Sequence, residues 1–137
     1  TMYAGHRDCN VDVKFNKSVV DYKFATGIIN VKNSTEFTDK NGLRGCWGTD
    51  WPAGTSDTLN YKRETVGLGI CIPNTNIVSE EPANENYGYV IRSSSNEIHY
   101  GITFCSDNEN FGYHNAKDWY HYLENWKKEF ELPIVVK

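Results

Sequence analysis

The chain has 137 residues and a mass of 15.7 kDa, enough for one domain or part of one and too short for two. Fourteen Lys and Arg against eighteen Asp and Glu leave a formal charge of −4, so the cationic excess that drives sequence-independent nucleic-acid binding is lacking. A mean hydropathy of −0.62 and no apolar run near ~18 residues leave no candidate membrane-spanning helix, while 14% aromatic residues supply bulk for a packed core.

The chain opens Thr1-Met2-Tyr3 without a charged and apolar leader. A strand pattern begins within a dozen residues, so we read the chain as part of a longer protein. Val11-Asp12-Val13-Lys14-Phe15 alternates at period two, the pattern of a half-buried strand, and Asn16-Lys17-Ser18 reads as a turn. Phe24 to Val31, rich in β-branched residues around Gly27, is a second strand. Asn41-Gly42 closes a turn signal that starts at Thr38. Leu43 to Trp47 follows as a short strand before a long loop, Gly48 to Asn60. Thr65 to Ile72 is a continuous apolar run ended by Pro73 and reads as a central strand. Its glycines, Gly67 and Gly69, are tolerable there where aromatic neighbours cover them or where another backbone approaches closely.

Ser79 to Asn86 is polar, carries Pro82 and reads as a loop. Tyr87–Arg92 and Glu97–Phe104, joined through Ser94-Ser95-Asn96, read as a hairpin whose second strand puts Ile98, Tyr100 and Ile102 on one face. Ser106 to His114 is loop-like. One helix then stands out: Asn115 and Asp118 have the spacing of a capping box, and Trp119, Tyr122, Leu123, Trp126 and Phe130 form one apolar stripe. Lys127 and Lys128 suit the negative end of its dipole. Pro133 stops it, and Ile134-Val135-Val136 returns to strand chemistry. The total is six or seven strands and one terminal amphipathic helix.

Cys9, Cys46, Cys71 and Cys105 contain no C-x-x-C pair, which removes the zinc-ribbon and thioredoxin readings. Buried free thiols are the plain reading, and one or two disulfides in an oxidising compartment are the alternative. No H-x-H or H-E-x-x-H spacing, phosphate-cradling glycine loop or nucleophile elbow occurs, so neither a metal nor a nucleotide cofactor is expected. Asp107-Asn108-Glu109-Asn110 is rich in oxygen, but lacks the glycine and terminal glutamate of a calcium loop.

The residues chemically suited to a function are suited to sugar. Trp47 and Trp51, with Asp50 between them, offer indole faces for the C–H face of a pyranose and a carboxylate for its hydroxyls. The plainer reading is that these rings cap a sandwich core and Asp50 builds a turn. Lys62 and Arg63 could hold a uronate carboxylate, Arg in bidentate fashion, or form a solvated strand end with Glu64. His6, beside Arg7 and Asp8, and His99, on the strand face opposite Ile98, Tyr100 and Ile102, are the candidate acid/base groups, with Asp50 as partner carboxylate. His99 is expected near Arg92 across the hairpin. His114 and His121 read as helix-start and helix-surface residues.

Several stretches resemble a bacterial domain-of-unknown-function family, the one numbered forty-eight sixty-one. They are His99-Tyr100-Gly101-Ile102-Thr103-Phe104, the loop through Asp107, Glu109 and Phe111, the helix bearing Trp119, Tyr122, Leu123 and Trp126, and Leu132-Pro133-Ile134-Val135-Val136. Met2–Asp8 with Val11-Asp12-Val13, and Glu64 to Ile72, are similar to strands of the same family. The resemblance implies a mostly β fold, an antiparallel sandwich of the galactose-mutarotase type with one C-terminal helix, in which a concave sheet face receives sugar. It also implies that the chain corresponds to the C-terminal half of a longer domain. Such a part would be completed by the missing N-terminal half or by a second copy as a homodimer, and a periplasmic or extracellular setting is expected if the longer protein is secreted. The function it implies is bacterial glycan utilisation, here a carbohydrate-active domain that meets acidic, pectin-type polysaccharide fragments. A non-catalytic glycan-binding or structural module is the alternative.

Overall fold

The computed structural model describes residues 1–2, 4–20, 22–50 and 60–132. They form eight strands and one α-helix: β1 Asp8–Lys14, β2 Lys23–Ile29, β3 Thr35–Thr38, β4 Leu43–Asp50, β5 Glu64–Cys71, β6 Ile77–Glu80, β7 Asn86–Arg92, β8 Glu97–Ser106 and α1 Ala116–Glu131. All pairings between them are antiparallel, in a five-stranded sheet ordered β1-β8-β5-β4-β3 and a three-stranded sheet ordered β2-β7-β6. The chain is thus mostly β, with two antiparallel sheets and one helix near its C-terminus. Six of the expected strands are present, and β5 is central as its apolar run predicts. The expected strand at Ile134-Val135-Val136 and the stop at Pro133 lie outside the described residues.

The larger sheet is covered on both faces. On one, Ile70 and Ile98 meet Tyr89 and Ile91 of β7 in a buried cluster with Ile72. Arg44 crosses between the sheets, 2% exposed. Its Nε donates to Glu36 at 2.7 Å, and Nη1 donates to the carbonyls of Glu81 and Gly88 at 2.7 and 2.9 Å. A buried guanidinium is tolerable only when its donors are matched in this way.

On the other face lies α1, with Trp119, Leu123 and Trp126 packed on Leu43, Cys71 and Cys105. The stripe predicted from sequence is therefore the buried face. The helix sits close because the sheet beneath it is glycine. A Cβ at Gly67 would stand 2.6 Å from the Trp119 ring, one at Gly69 2.4 Å from Leu123, and one at Gly101 2.7 Å from Trp126. Gly67 is thus covered by an aromatic ring, as expected for a central strand, whereas Gly69 is covered by an aliphatic side chain.

At the start of α1, Asn115 Oδ1 accepts from the Asp118 amide at 2.9 Å. The box closes through side chains: Asn115 Nδ2 donates to the Asp118 carboxylate at 2.7 Å. Near its other end Lys127 does more than face the dipole. Its Nζ donates to Asp39 Oδ2 at 2.7 Å and to the Asn41 carbonyl at 2.5 Å, pinning the helix to the β3–β4 turn. In that turn Gly42 has φ +96°, a conformation that glycine adopts without strain.

One pairing differs from expectation. β7 and β8 are consecutive but do not form a hairpin: β7 pairs with β2 and β6, and β8 with β1 and β5. Tyr89 and Ile91 face Ile98 across the core instead of lying beside it on one sheet. The chain changes sheets at Ser93, whose buried hydroxyl donates to the Glu97 carbonyl and accepts from the Ser95 amide.

Candidate functional site

β1 is an edge strand, and its period-two alternation decides what that edge offers. Asp8, Asn10 and Asp12 stand level with Thr103, Gly101 and His99 of β8, while Cys9, Val11 and Val13 stand level with Ile102, Tyr100 and Ile98. The second set turns toward the smaller sheet, so the oxygen-bearing row lies on the helix-facing side. α1 lies mainly over β4 and β5. A cavity of about 220 Å³ remains where the C-terminal half of the helix meets the β1–β8 margin, lined by His6, Asp8, Asn10, His99, Trp126, Glu129 and Phe130.

Two imidazole–carboxylate pairs flank it. His99 Nδ1 lies 2.6 Å from Asp12 Oδ1, directly across the β1–β8 ladder. The His99 ring also stacks on Phe130 at 5.2 Å between centroids with 2° between planes, which fixes its orientation. His6 Nδ1 lies 3.2 Å from Asp8 Oδ1. In both pairs the carboxylate holds the imidazole through Nδ1. Trp126 and Phe130, 6.1 Å apart and tilted by 49°, provide the aromatic side of the cavity. The carboxylates of Asp8 and Glu129 and the amide of Asn10 provide the polar side.

The segment leading into β1 is anchored from beneath. Arg7 Nη1 donates to Glu109 Oε2 at 2.7 Å, and its guanidinium lies 5.2 Å from the centre of the Tyr113 ring and 5.9 Å from that of Tyr122. Burial lowers the Arg7 pKa, but the hydrogen bond and charge of Glu109 outweigh it and raise the net value. Burial likewise raises Glu109, while the hydrogen bond from Arg7, the Ser106 amide and the Arg7 charge bring it below the ordinary carboxylate value. The oxygen-rich stretch is therefore spent internally. Glu109 ties down Arg7, Asp107 accepts His114 Nδ1 at 3.0 Å, and Asn108 donates to Glu64.

The residues singled out from sequence separate into two places. His6 and His99 share the cavity, and His99 neighbours Asp12 of β1 where sequence placed Arg92. Trp47 lies half-buried on the helix-facing side of β4, level with Gly67 and packed against the Trp119–Leu123 cluster. Asp50 ends β4 opposite Glu64, and Lys62 and Arg63 immediately precede β5. Trp51 lies outside the described residues. Cys71, at the far end of β5 from Glu64, is level with Gly101, and His99 lies two residues beyond that. At ~3.3 Å per residue, the Asp50–Arg63 end and the His99 end are roughly 20 Å or more apart along the strands.

The residues that sequence reasoning passed over are Asp8, Asn10 and Asp12 as a row, and Trp126, Glu129 and Phe130 as a wall. The alternation of β1 held the signal: its polar residues share one face. Among the described residues no group of three or more His, Cys, Asp or Glu is arranged to hold a metal ion. All four cysteines are free thiols, and burial raises Cys46 and Cys105 to about 11 and Cys71 to about 12. Thiols so protonated are packing groups and poor nucleophiles.

The profile of a domain of unknown function, DUF4861, matches residues 1–136. No curated protein and no solved structure matches the chain.

Proposed function

The chain belongs to the DUF4861 family, and for it we propose a carbohydrate-active role in which the cavity between β1, β8 and α1 receives one sugar residue of a glycan. The observation that carries this reading is the joining of two histidine–carboxylate pairs and two aromatic rings around one hollow. Aromatic rings take the C–H face of a pyranose, and carboxylates, amide and imidazoles take its hydroxyls. A volume of about 220 Å³ is below the usual range for drug-sized ligands and suits a single ring better than a length of polymer. Each histidine, oriented through Nδ1, presents the kind of group that carries a proton at neutral pH. The expectation of an acidic glycan rests on the family resemblance and on Lys62 and Arg63, and those two residues sit at the other end of the large sheet.

The test is a product assay on mixed pectic oligosaccharides, run beside a binding titration on wild type, His99→Asn and Trp126→Ala. The reading expects binding in wild type and its loss in Trp126→Ala. Turnover that falls about a hundredfold or more in His99→Asn marks an enzyme with His99 in proton transfer. Binding without turnover marks a glycan-binding module. No binding by wild type overturns the sugar reading.

A further inference from the structure

We infer that the cavity selects a neutral sugar residue and discriminates against a uronate, an inference that rests on the carbohydrate reading of the same site. The ground is the charge of the lining. Asp8 and Glu129 contribute carboxylates, and among the described residues no lysine or arginine lines the cavity. A third carboxylate, Asp12, stands behind His99. The nearby cations are already matched. Arg7, next to His6 in sequence, is turned to Glu109 and the rings of Tyr113 and Tyr122. Lys14, two residues along β1 from Asp12, pairs with Glu97 at 3.0 Å. A uronate in this hollow brings a negative charge among carboxylates, with no lysine or arginine among the described lining residues to receive it. A hydroxymethyl group at the same ring position finds acceptors and donors instead.

Like charges brought together at a binding site exclude a ligand more effectively than neutral contacts attract one. Lys62 and Arg63 do not reverse this, because they lie at the other end of the sheet. The cavity therefore reads a neutral residue, whatever charge the rest of the glycan carries.

The experiment titrates the full chain at about pH 8 with methyl glycosides in matched pairs that differ only at C6: galactoside and galacturonoside, glucoside and glucuronoside, mannoside and mannuronoside. Binding is followed through the Trp126 indole N–H resonance. The expected result is at least one neutral glycoside that binds, with its uronate partner about tenfold weaker or more. Glu129→Gln is expected to narrow that ratio, and so is added salt, which screens half-exposed charges. If the uronate binds as well as or better than its neutral partner, the selectivity inference fails and the sugar reading stands. If no member of any pair binds, the sugar reading fails and takes this inference with it.

Discussion

The two halves of α1 use one packing device to opposite ends. In the N-terminal half, Trp119 lies over Gly67 and Leu123 over Gly45 and Gly69. Tyr113 and Tyr122 close the sides of the Trp119 ring at 5.7 and 5.1 Å, and Tyr120 stacks on Phe37 at 5.2 Å. Rings and aliphatic groups dominate there, with the Arg7 guanidinium against Tyr113 and Tyr122, and Trp119 and Leu123 are wholly buried. In the C-terminal half Trp126 and Phe130 lie over Gly101 in the same manner. The next strand outward is β1, and it presents Asp8, Asn10 and Asp12. Among the described residues no Phe, Tyr or Trp comes from that side, so the same seat leaves a hollow with an aromatic wall and an acidic rim. A glycine bed decides how closely a helix approaches, and the edge strand decides whether the space beside it is filled or kept open.

The comparison breaks most severely at its sealed end. Trp119→Ala removes the largest wholly buried side chain among the described residues and should cost about 3–5 kcal/mol of unfolding free energy in a denaturant titration. A smaller effect follows from filling the bed. Gly69→Val places methyls where Leu123 and the Thr103 methyl already lie 2.4 and 2.9 Å from a bare Cβ, and should cost about 1–3 kcal/mol by the same measurement.

The anchor beneath the open end should be sensitive to acid. Glu109 has a pKa below its ordinary 4.5. Its contribution to stability is complete above that value and is lost as pH falls through the lowered one. Glu109→Gln should therefore flatten the acid limb of a melting-temperature profile below pH 4.5 and leave its slope near neutrality unchanged. The smallest effect on stability belongs to the rim itself. Asp12→Asn and its partner lie on a half-exposed surface, so the change should stay within ~0.5 kcal/mol while weakening sugar binding. A loss of several kcal/mol there would mean that the rim is part of the core and the contrast between the halves is false.

Sequence periodicity made the helix and most strands readable. The stripe from Trp119 to Phe130, the Asn115 cap and the apolar run of β5 each encode their structure locally. β3 and β6 were not readable, because four residues each, Thr35-Glu36-Phe37-Thr38 and Ile77-Val78-Ser79-Glu80, are too few to establish a period against their polar flanks. The β7–β8 misreading has a different origin. Tyr89 and Ile91, and then Ile98 and Ile102, alternate identically whether the strands lie side by side or face one another across a core. Only the partners β2 and β1, far away in sequence, distinguish the two. The site suffered from the same non-locality. His6 and His99 were identifiable by residue type, but their carboxylates and the Trp126–Phe130 wall come together through pairing of β1 with β8 and the docking of α1. Residue type alone instead favoured Trp47, which the core uses.

The central claim is that a sugar ring sits against Trp126 and between the two histidines. The four indole N–H resonances of the chain, from Trp47, Trp51, Trp119 and Trp126, allow it to be read directly in a titration with a panel of neutral methyl glycosides. The account predicts that Trp126 shifts together with the His99 imidazole while Trp47 and Trp119 stay still. Shifts confined to Trp47 or Trp51, or no shift at all across the panel, would contradict it.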